Sequence, residues 1–464
     1  MSAITIDALT FFPTGTFSPS TGLFRQRTGT TTDVPISGTY SGGTPAGVEV
    51  QSRSGAWVSI GSPVISGGVW SGTVPSVTVG TGDLQARWSD SPSTLSAVVT
   101  LAVGDAFMTW GDSTSVSGPA GSGSTSDTDC WMFVNSSGVQ WWFRGLGAYH
   151  WLYLAQQLRP AIGYPVCFFV EGVGGTTMGH WDDASDTPYL ANALADVALS
   201  KINGFKGTLG HISVNDLHAG LSWTAATVKA ELATIAAMWA AQLGNAPPTA
   251  LAMWADKPSS EWASDNDPTF LADVKKIRQG MLDSWAAGET LRGAQLIGED
   301  YSTDHLHPDS GDNDVPRVGW LWYPAVLSSF YGGAVTSPRV SAVTIDQTGK
   351  IVIVTFASDL STSVSSSVGG FRVKDNGTTV TITSAVVTAA RVVTITLPSA
   401  IVGTCSVSWA DGRDAALATA SRPMGATVAL PRTALGVSTI TSPIEPFLDH
   451  AVTLALATVA SRPM

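Results

Sequence analysis

The sequence predicts a multi-domain chain: a central open α/β sheet flanked by helices, with an all-β sandwich domain before it and a second β-rich module after it. Three observations carry this reading. At 464 residues the chain is too long for one ordinary core. Its texture changes near residue 100, from short alternating runs to apolar runs separated by helical patterns, and near residue 335 it changes back. The domain boundaries that follow are 1–100, 101–333 and 337–464.

The first region is rich in Gly, Ser, Thr and Val, and short runs such as "GVEVQSR", "AWVSIG" and "LQARWSD" are divided by Gly and Pro turns, the spacing of a sandwich. In the second, "LAVGDAFMTW", "PVCFFVEGV", "GTLGHISV" and "TALAMW" suit strands covered on both faces. Between them "GAYHWLYLAQQL", "PYLANALADVALSKI" and "TAATVKAELATIAAMWAAQL" repeat apolar residues at helical spacing. "DPTFLADVKKIRQGMLDSWAA" opens with Asp267 as N-cap and Pro268 at the first helical position. Strand and helix alternate, as in a parallel sheet. The third region returns to period two in "KIVIVTFAS", "TTVTITSAVV", "RVVTITLPS" and "TCSVSWAD". Its near-repeat, "LATASRPM" against "LATVASRPM", is either a duplicated hairpin or a coincidence in an Ala/Thr-rich tail.

Composition excludes several function classes. A formal net charge of -12 with only 24 basic residues argues against nucleic acid and against anionic lipid as partners. Hydrophobic residues make up 44% of the chain, too many for general disorder. Cys130, Cys167 and Cys405 are widely spaced, with no CxxC pair, and read as small core residues. "MSAITIDALTFFPTG" lacks the basic-then-apolar order of a secretion signal, and no run approaches a membrane span. A soluble protein is expected, one that, if it works outside a cell, leaves by another route, such as release with a virus particle.

Four stretches could carry chemistry. In "MTWGDSTS" an apolar strand ends at Trp110 and Ser113 follows within a Gly-Asp-Ser turn, at the carboxyl edge where open α/β sheets hold ligands. The alternative there is a plain Ser/Gly turn. "EDYSTDHLHPDSGD" sets Asp304 and His307 two residues apart, so that one turn can aim both at the same place, the carboxylate holding one ring nitrogen and freeing the other to take a proton. A metal site built on Asp304, His305 and His307 with His211 or His180 lacks a recognised ligand frame, and Asp309, Asp312 and Asp314 miss the EF-hand spacing. "VGGTTMGHW" offers glycines whose backbone N–H can approach a carbonyl oxygen, and "ISVNDLHAG" offers the Asn215 amide for the same oxygen. Each is also a plausible turn or helix cap. Their order along one α/β unit lifts the set above its parts.

With these blocks the chain resembles the SGNH (GDSL-like) hydrolases, and among them the carbohydrate O-acetylesterases. Gly111-Asp112-Ser113 matches the first block of that family, Gly175 the second, Asn215-Asp216 the third, and Asp304 with His307 the last. The resemblance spans residues 101–331 and departs at Thr114, where leucine is common, and at Ser213, where glycine is usual. It implies a flavodoxin-like three-layer fold. It also implies Ser113 as nucleophile, His307 as general base and acid, Asp304 as its orienter, and an oxyanion hole made by the Ser113 and Gly175 amides and the Asn215 side chain. No metal or organic cofactor is implied.

The middle region holds 13 of the 17 tryptophans, and Trp110, Trp181 and Trp262 are candidates to floor a sugar site. No long apolar lid is evident, which favours short acyl groups. The expected substrate is therefore an acetylated carbohydrate. The first β module resembles accessory domains that precede such esterases in phage and bacterial proteins, and the last resembles bacterial immunoglobulin-like modules. A rival reading is a virion tail or surface glycan-binding protein with a degenerate hydrolase domain, and a homo-oligomer or virion assembly is compatible with either.

Overall fold

The computed structural model describes residues 3–13, 20–53, 55–116, 123–124, 127–136, 139–144, 146–147, 150–182, 188–212, 215–216, 223–253, 268–296, 314–334, 338–409, 424–434, 437–443, 447–451 and 453–454. The chain divides into two compact units. One comprises residues 1–175, 179–210 and 235–250, and the other 176–178, 211–234 and 251–464.

In the first unit, Ala3–Ile4, Thr31–Ser41, Val69–Thr78 and Gly61–Ser66 form a four-stranded antiparallel sheet in that order. Thr31–Ser41 shows why: Thr32, Val34 and Ile36 are buried while Thr31, Asp33 and Pro35 face outward, the period of two that a one-sided sheet imposes. Its apolar face joins Val50, Trp70, Leu84, Trp88 and Leu101 in one core.

The strand Val99–Gly111 organises the rest of this unit. Its residues from Leu101 to Gly111 are all buried. Its first part pairs with Gly80–Trp88 antiparallel and with Ser20–Gln26 parallel. Its second part, Asp105 to Thr109, pairs with Val166–Val170 parallel. Val166–Val170 also pairs with Cys130–Ser136 in parallel, and Cys130–Ser136 forms an antiparallel hairpin with Val139–Arg144. That hairpin continues to Leu9–Pro13, which is antiparallel to Ser20–Gln26. The sheet is thus mixed, whereas the alternation of strand and helix in the sequence predicts a parallel one. The added antiparallel members are these two hairpins together with Gly80–Trp88 and the strands Val48–Ser52, Trp57–Ser59 and Ser91–Leu95 that pair on its side.

The change of partners occurs at Gly104, where a Cβ would overlap the Pro165 carbonyl. A buried polar network fixes the place. Arg27 Nε pairs with Asp105 Oδ1 at 3.0 Å, the Gln26 amide donates to the same oxygen at 2.9 Å, and the Ala106 N–H donates to Gln26 Oε1 at 2.8 Å. The Arg27 guanidinium also lies 4.1 Å over the Tyr164 ring. Burial, then the Asp105 charge, pushes the Tyr164 hydroxyl up to about 12.

The helices lie where the 3.6-residue spacing puts them: His150–Ile162, Pro188–Ser200, Ala225–Gln242 and Pro268–Ala287. Asp267, the expected N-cap, lies outside the described residues. Val166–Val170, Gly207–His211 and Thr249–Met253 are buried at every position, as strands covered on both faces should be.

In the second unit, the end of Thr249–Met253 is followed by Leu291–Gln295, with Leu296 N–H bonded to the Met253 carbonyl at 2.9 Å, and by the helix Asp314–Tyr331. The last region holds a five-stranded sheet, in the order Ser384–Ala389, Val392–Thr396, Ile351–Phe356, Val340–Ile345 and Thr453–Leu454. A four-stranded sheet runs Thr378–Val380, Phe371–Asp375, Cys405–Trp409, Phe447–Ala451. Val352, Val354, Val373, Val393 and Ile395 are buried while the residues on either side of each are only partly buried, the period of two that the sequence shows. All three cysteines are buried and none is in a disulfide. Among the described residues no helix is long and apolar enough to cross a membrane.

Candidate active site

Ser113 begins where the strand Val99–Gly111 ends. Gly111 has φ 128°, a conformation that L side chains rarely adopt, and this glycine turns the chain out of the sheet. Asp112 has no exposed surface, and its Oδ1 accepts from the Thr114 N–H at 2.9 Å and from the Thr114 hydroxyl. Its carbonyl accepts from Ser115 N–H at 3.0 Å and from Ser115 Oγ at 2.8 Å, and Trp151 Nε1 donates to the Ser115 carbonyl at 2.9 Å. The turn is therefore held on both sides of Ser113, whose own side chain is only partly buried. Thr114, the departure from the family's leucine, belongs to this bracing.

The second block is tied to the first. Parallel pairing of Val166–Val170 with Asp105–Thr109 brings both strands to the same sheet edge. Beyond it Glu171 N–H donates to the Thr109 carbonyl at 3.0 Å and Val173 N–H to the Gly111 carbonyl at 2.8 Å. Gly174 lies so close to Ser113 that a Cβ on it would sit 3.6 Å from the Ser113 Cβ. Gly175 has φ 80°, in the left-handed region, with open space where a side chain would go. Its requirement for glycine is conformational.

The third block holds the chain that continues from Gly175. Asn215 Nδ2 donates to the Thr176 carbonyl at 3.1 Å, and the buried Asp216 carboxylate accepts from the Met178 N–H at 3.0 and 3.1 Å. An amide nitrogen carries two hydrogens, so Asn215 is oriented by one and has a second to donate. Asp304, His305 and His307 lie outside the described residues, as do Ser213, Asp309, Asp312 and Trp262. Asp314 is the first residue of the helix Asp314–Tyr331.

The other expectations are placed as follows. Trp110 and Trp181 are fully buried and cluster with Trp239, ring centroids 5.8 to 6.2 Å apart. Trp110 Nε1 donates to Thr208 Oγ1 at 3.3 Å. An indole without an exposed face cannot stack on a sugar, so these two rings serve the core. His211 is buried and stacked on Trp322, whose Nε1 donates to its Nε2, while His180 makes an edge contact with Tyr189 at 5.7 Å. Among the described residues no group of three or more metal-ligating side chains converges. Sequence reasoning missed Gly174, the bracing role of Thr114, and Glu171. Glu171 follows directly on a continuously buried strand, where a carboxylate is out of keeping with its neighbours.

No protein-family model and no curated protein matches the chain. Solved structures do. A carbohydrate acetylesterase from Xanthomonas citri superposes with a TM-score of 0.61 at 17% identity, over 91% of this chain and 96% of that one. A carbohydrate acetylesterase from Sinorhizobium meliloti gives a TM-score of 0.30 at 14% identity, over 46% of this chain and 94% of that one. A lipase/acylhydrolase from Enterococcus faecalis gives 0.30 at 14%, over 48% and 96%. At such identities the likeness is one of fold, and the fold is SGNH hydrolase-like.

Proposed function

We propose that the chain is a serine esterase that removes short acyl groups, acetyl above all, from a carbohydrate or polysaccharide through an acyl-enzyme. The observation that carries this reading is the close approach of Gly174 to Ser113 at the carboxyl ends of two parallel strands. Backbone amides beside a serine in a braced turn are what acyl transfer requires. The names of the solved structures with this fold point the same way.

In this mechanism Ser113 Oγ attacks the ester carbonyl as its proton passes to His307, oriented by Asp304. The oxyanion accepts from the Ser113 and Gly175 amides and from the second hydrogen of Asn215. The intermediate collapses, the sugar oxygen leaves with the proton from His307, and water repeats the sequence on the acyl-enzyme to release acetate. The assignment of Asp304 and His307 rests on their D-x-x-H spacing, and no metal enters the reaction. We place this chemistry in a flavodoxin-like three-layer domain at residues 101–333, between sandwich modules at 1–100 and 337–464, the first of which lends the strands Leu9–Pro13 and Ser20–Gln26 to its sheet.

Covalent labelling by a fluorophosphonate tests the nucleophile. Wild-type protein should label at Ser113 and Ser113→Ala should not. An unlabelled, folded wild type would leave the degenerate glycan-binding reading. Substrate length gives a second test. Without an apolar lid, kcat/KM should not climb from acetyl to octanoyl esters, although each methylene that found an apolar wall would gain about 0.8 kcal/mol.

A further inference from the structure

Gly174 owes its glycine to neither of the usual causes. Its φ does not lie in the left-handed region, where Gly175 sits at 80°. Nor does packing exclude a side chain: apart from its chain neighbours, the Ser113 Cβ is the one atom among the described residues within 4 Å of a Cβ built on it, and the 3.6 Å between the two is ordinary van der Waals contact. An alanine would therefore fit among the described residues, with its methyl group against the serine. Gly174 and Gly175 are both exposed, whereas Thr176 after them is buried. The strip they form is also held. Val173 N–H donates to the Gly111 carbonyl at 2.8 Å before it, and the Thr176 carbonyl accepts from Asn215 Nδ2 at 3.1 Å after it. The side chain missing at 174 thus leaves its space to whatever approaches Ser113 from solvent.

We propose that Gly174 is a specificity-determining residue that admits esters of secondary alcohols to Ser113. The proposal rests on the esterase reading and narrows its substrate class. An acetyl group is the same whichever hydroxyl carries it, so the alcohol makes the difference. A ring hydroxyl of a sugar is secondary: its ester oxygen is attached to a carbon with two further carbon branches, and both must clear the protein when Ser113 Oγ reaches the carbonyl carbon. A primary ester has one branch, which can turn outward. Bare backbone beside the serine gives the second branch its room, because a carbon needs about 3.5 to 4.0 Å from each carbon that it meets. The branches stay beside Ser113 until the ester C–O bond breaks and the alcohol oxygen takes the proton first drawn from the serine, so crowding there is felt in kcat/KM.

The test uses two isomers, isopropyl acetate and n-propyl acetate, and reads the ratio of their kcat/KM values, in which any loss common to both cancels. n-Propyl butanoate probes the acyl side, and a fluorophosphonate probes the nucleophile. The wild type should hydrolyse both acetates. Gly174→Ala should label at Ser113 and lower the isopropyl to n-propyl ratio by about tenfold, the low end of what one methylene commands in a fitted site. Its butanoate to acetate ratio should stay at the wild-type value. A wild type that turns over n-propyl acetate and not isopropyl acetate, an unchanged isomer ratio in Gly174→Ala, or a shift in the butanoate ratio instead, overturns the assignment. So does a Gly174→Ala protein that no longer labels, since the glycine then serves the geometry of the nucleophile and not the shape of the substrate. A wild type that neither labels nor hydrolyses any of the three esters overturns the esterase reading itself.

Discussion

Around Ser113 each neighbour has a separable job. Thr114 spends both its N–H and its hydroxyl on the buried Asp112 carboxylate, so Thr114→Val removes a donor without changing shape. It should lower stability by about 1 to 3 kcal/mol, the range for stranding a buried polar group, as read from urea unfolding. The groups proposed to be catalytic should behave differently. Ser113→Ala and His307→Ala should each abolish nearly all ester hydrolysis, and the double variant should be scarcely worse, because either loss disables the unit. Asn215→Ala should reduce kcat by roughly 100 to 1000-fold, the range for one oxyanion donor. His305→Ala should retain activity, and an inactive variant with chelator sensitivity would indicate a metal instead. Glu171 also links stability to pH. Its folded value lies above its ordinary 4.5, so the folded state keeps a proton that the unfolded state gives up. Stability from this group is greatest below that value and is lost as pH rises towards the folded value. The Tm of the wild type should therefore fall relative to that of Glu171→Gln as pH rises above 4.5.

At the scale of elements, the strand Val99–Gly111 does two jobs, and Gly104 marks the division. Gly104→Ala would drive a Cβ into the Pro165 carbonyl, a backbone group that cannot swing aside. The loss should exceed the ~1 to 3 kcal/mol usual for overpacking, with Tm as the readout. The apolar run that forms this strand is plain in the sequence, as are the four helices, because periodicity reports burial directly. Its change of partners is not. Which strand lies beside which depends on register between distant segments, and nothing local in "LTFFP" foretells pairing with Val139–Arg144. For the same reason the hairpin of Cys130–Ser136 and Val139–Arg144 is hard to read: "VQWWFR" sets two tryptophans and a phenylalanine side by side and shows no period of two. Of the candidate site, the placement of Ser113, Gly175 and Asn215 beyond the ends of buried strands was legible in the sequence, and the roles given to them are those proposed above. Trp110 and Trp181 misled because an aromatic suits a core as well as a sugar platform, and only packing distinguishes them.

For the molecule as a whole, the N-terminal strands are woven into the sheet that presents Ser113. Leu9–Pro13 and Ser20–Gln26 link Val139–Arg144 to Val99–Gly111, and Gln26, Arg27 and Asp105 fill the join. A chain that starts at residue 99 would expose two strand edges and leave Asp105 buried without Arg27. It should lose cooperative unfolding and ester hydrolysis together, whereas an intact, active product would mean that the first module is only an appendage. The central claim, a serine esterase acting on acetylated carbohydrate, is tested most directly by acetate release from acetylated polysaccharides, with wild type and Ser113→Ala compared at equal concentration. The expected result is release by the wild type from at least one polysaccharide and none above background by the variant. Equal release by both proteins, or none by a folded wild type from any acetylated polymer or small acetate ester, would contradict it.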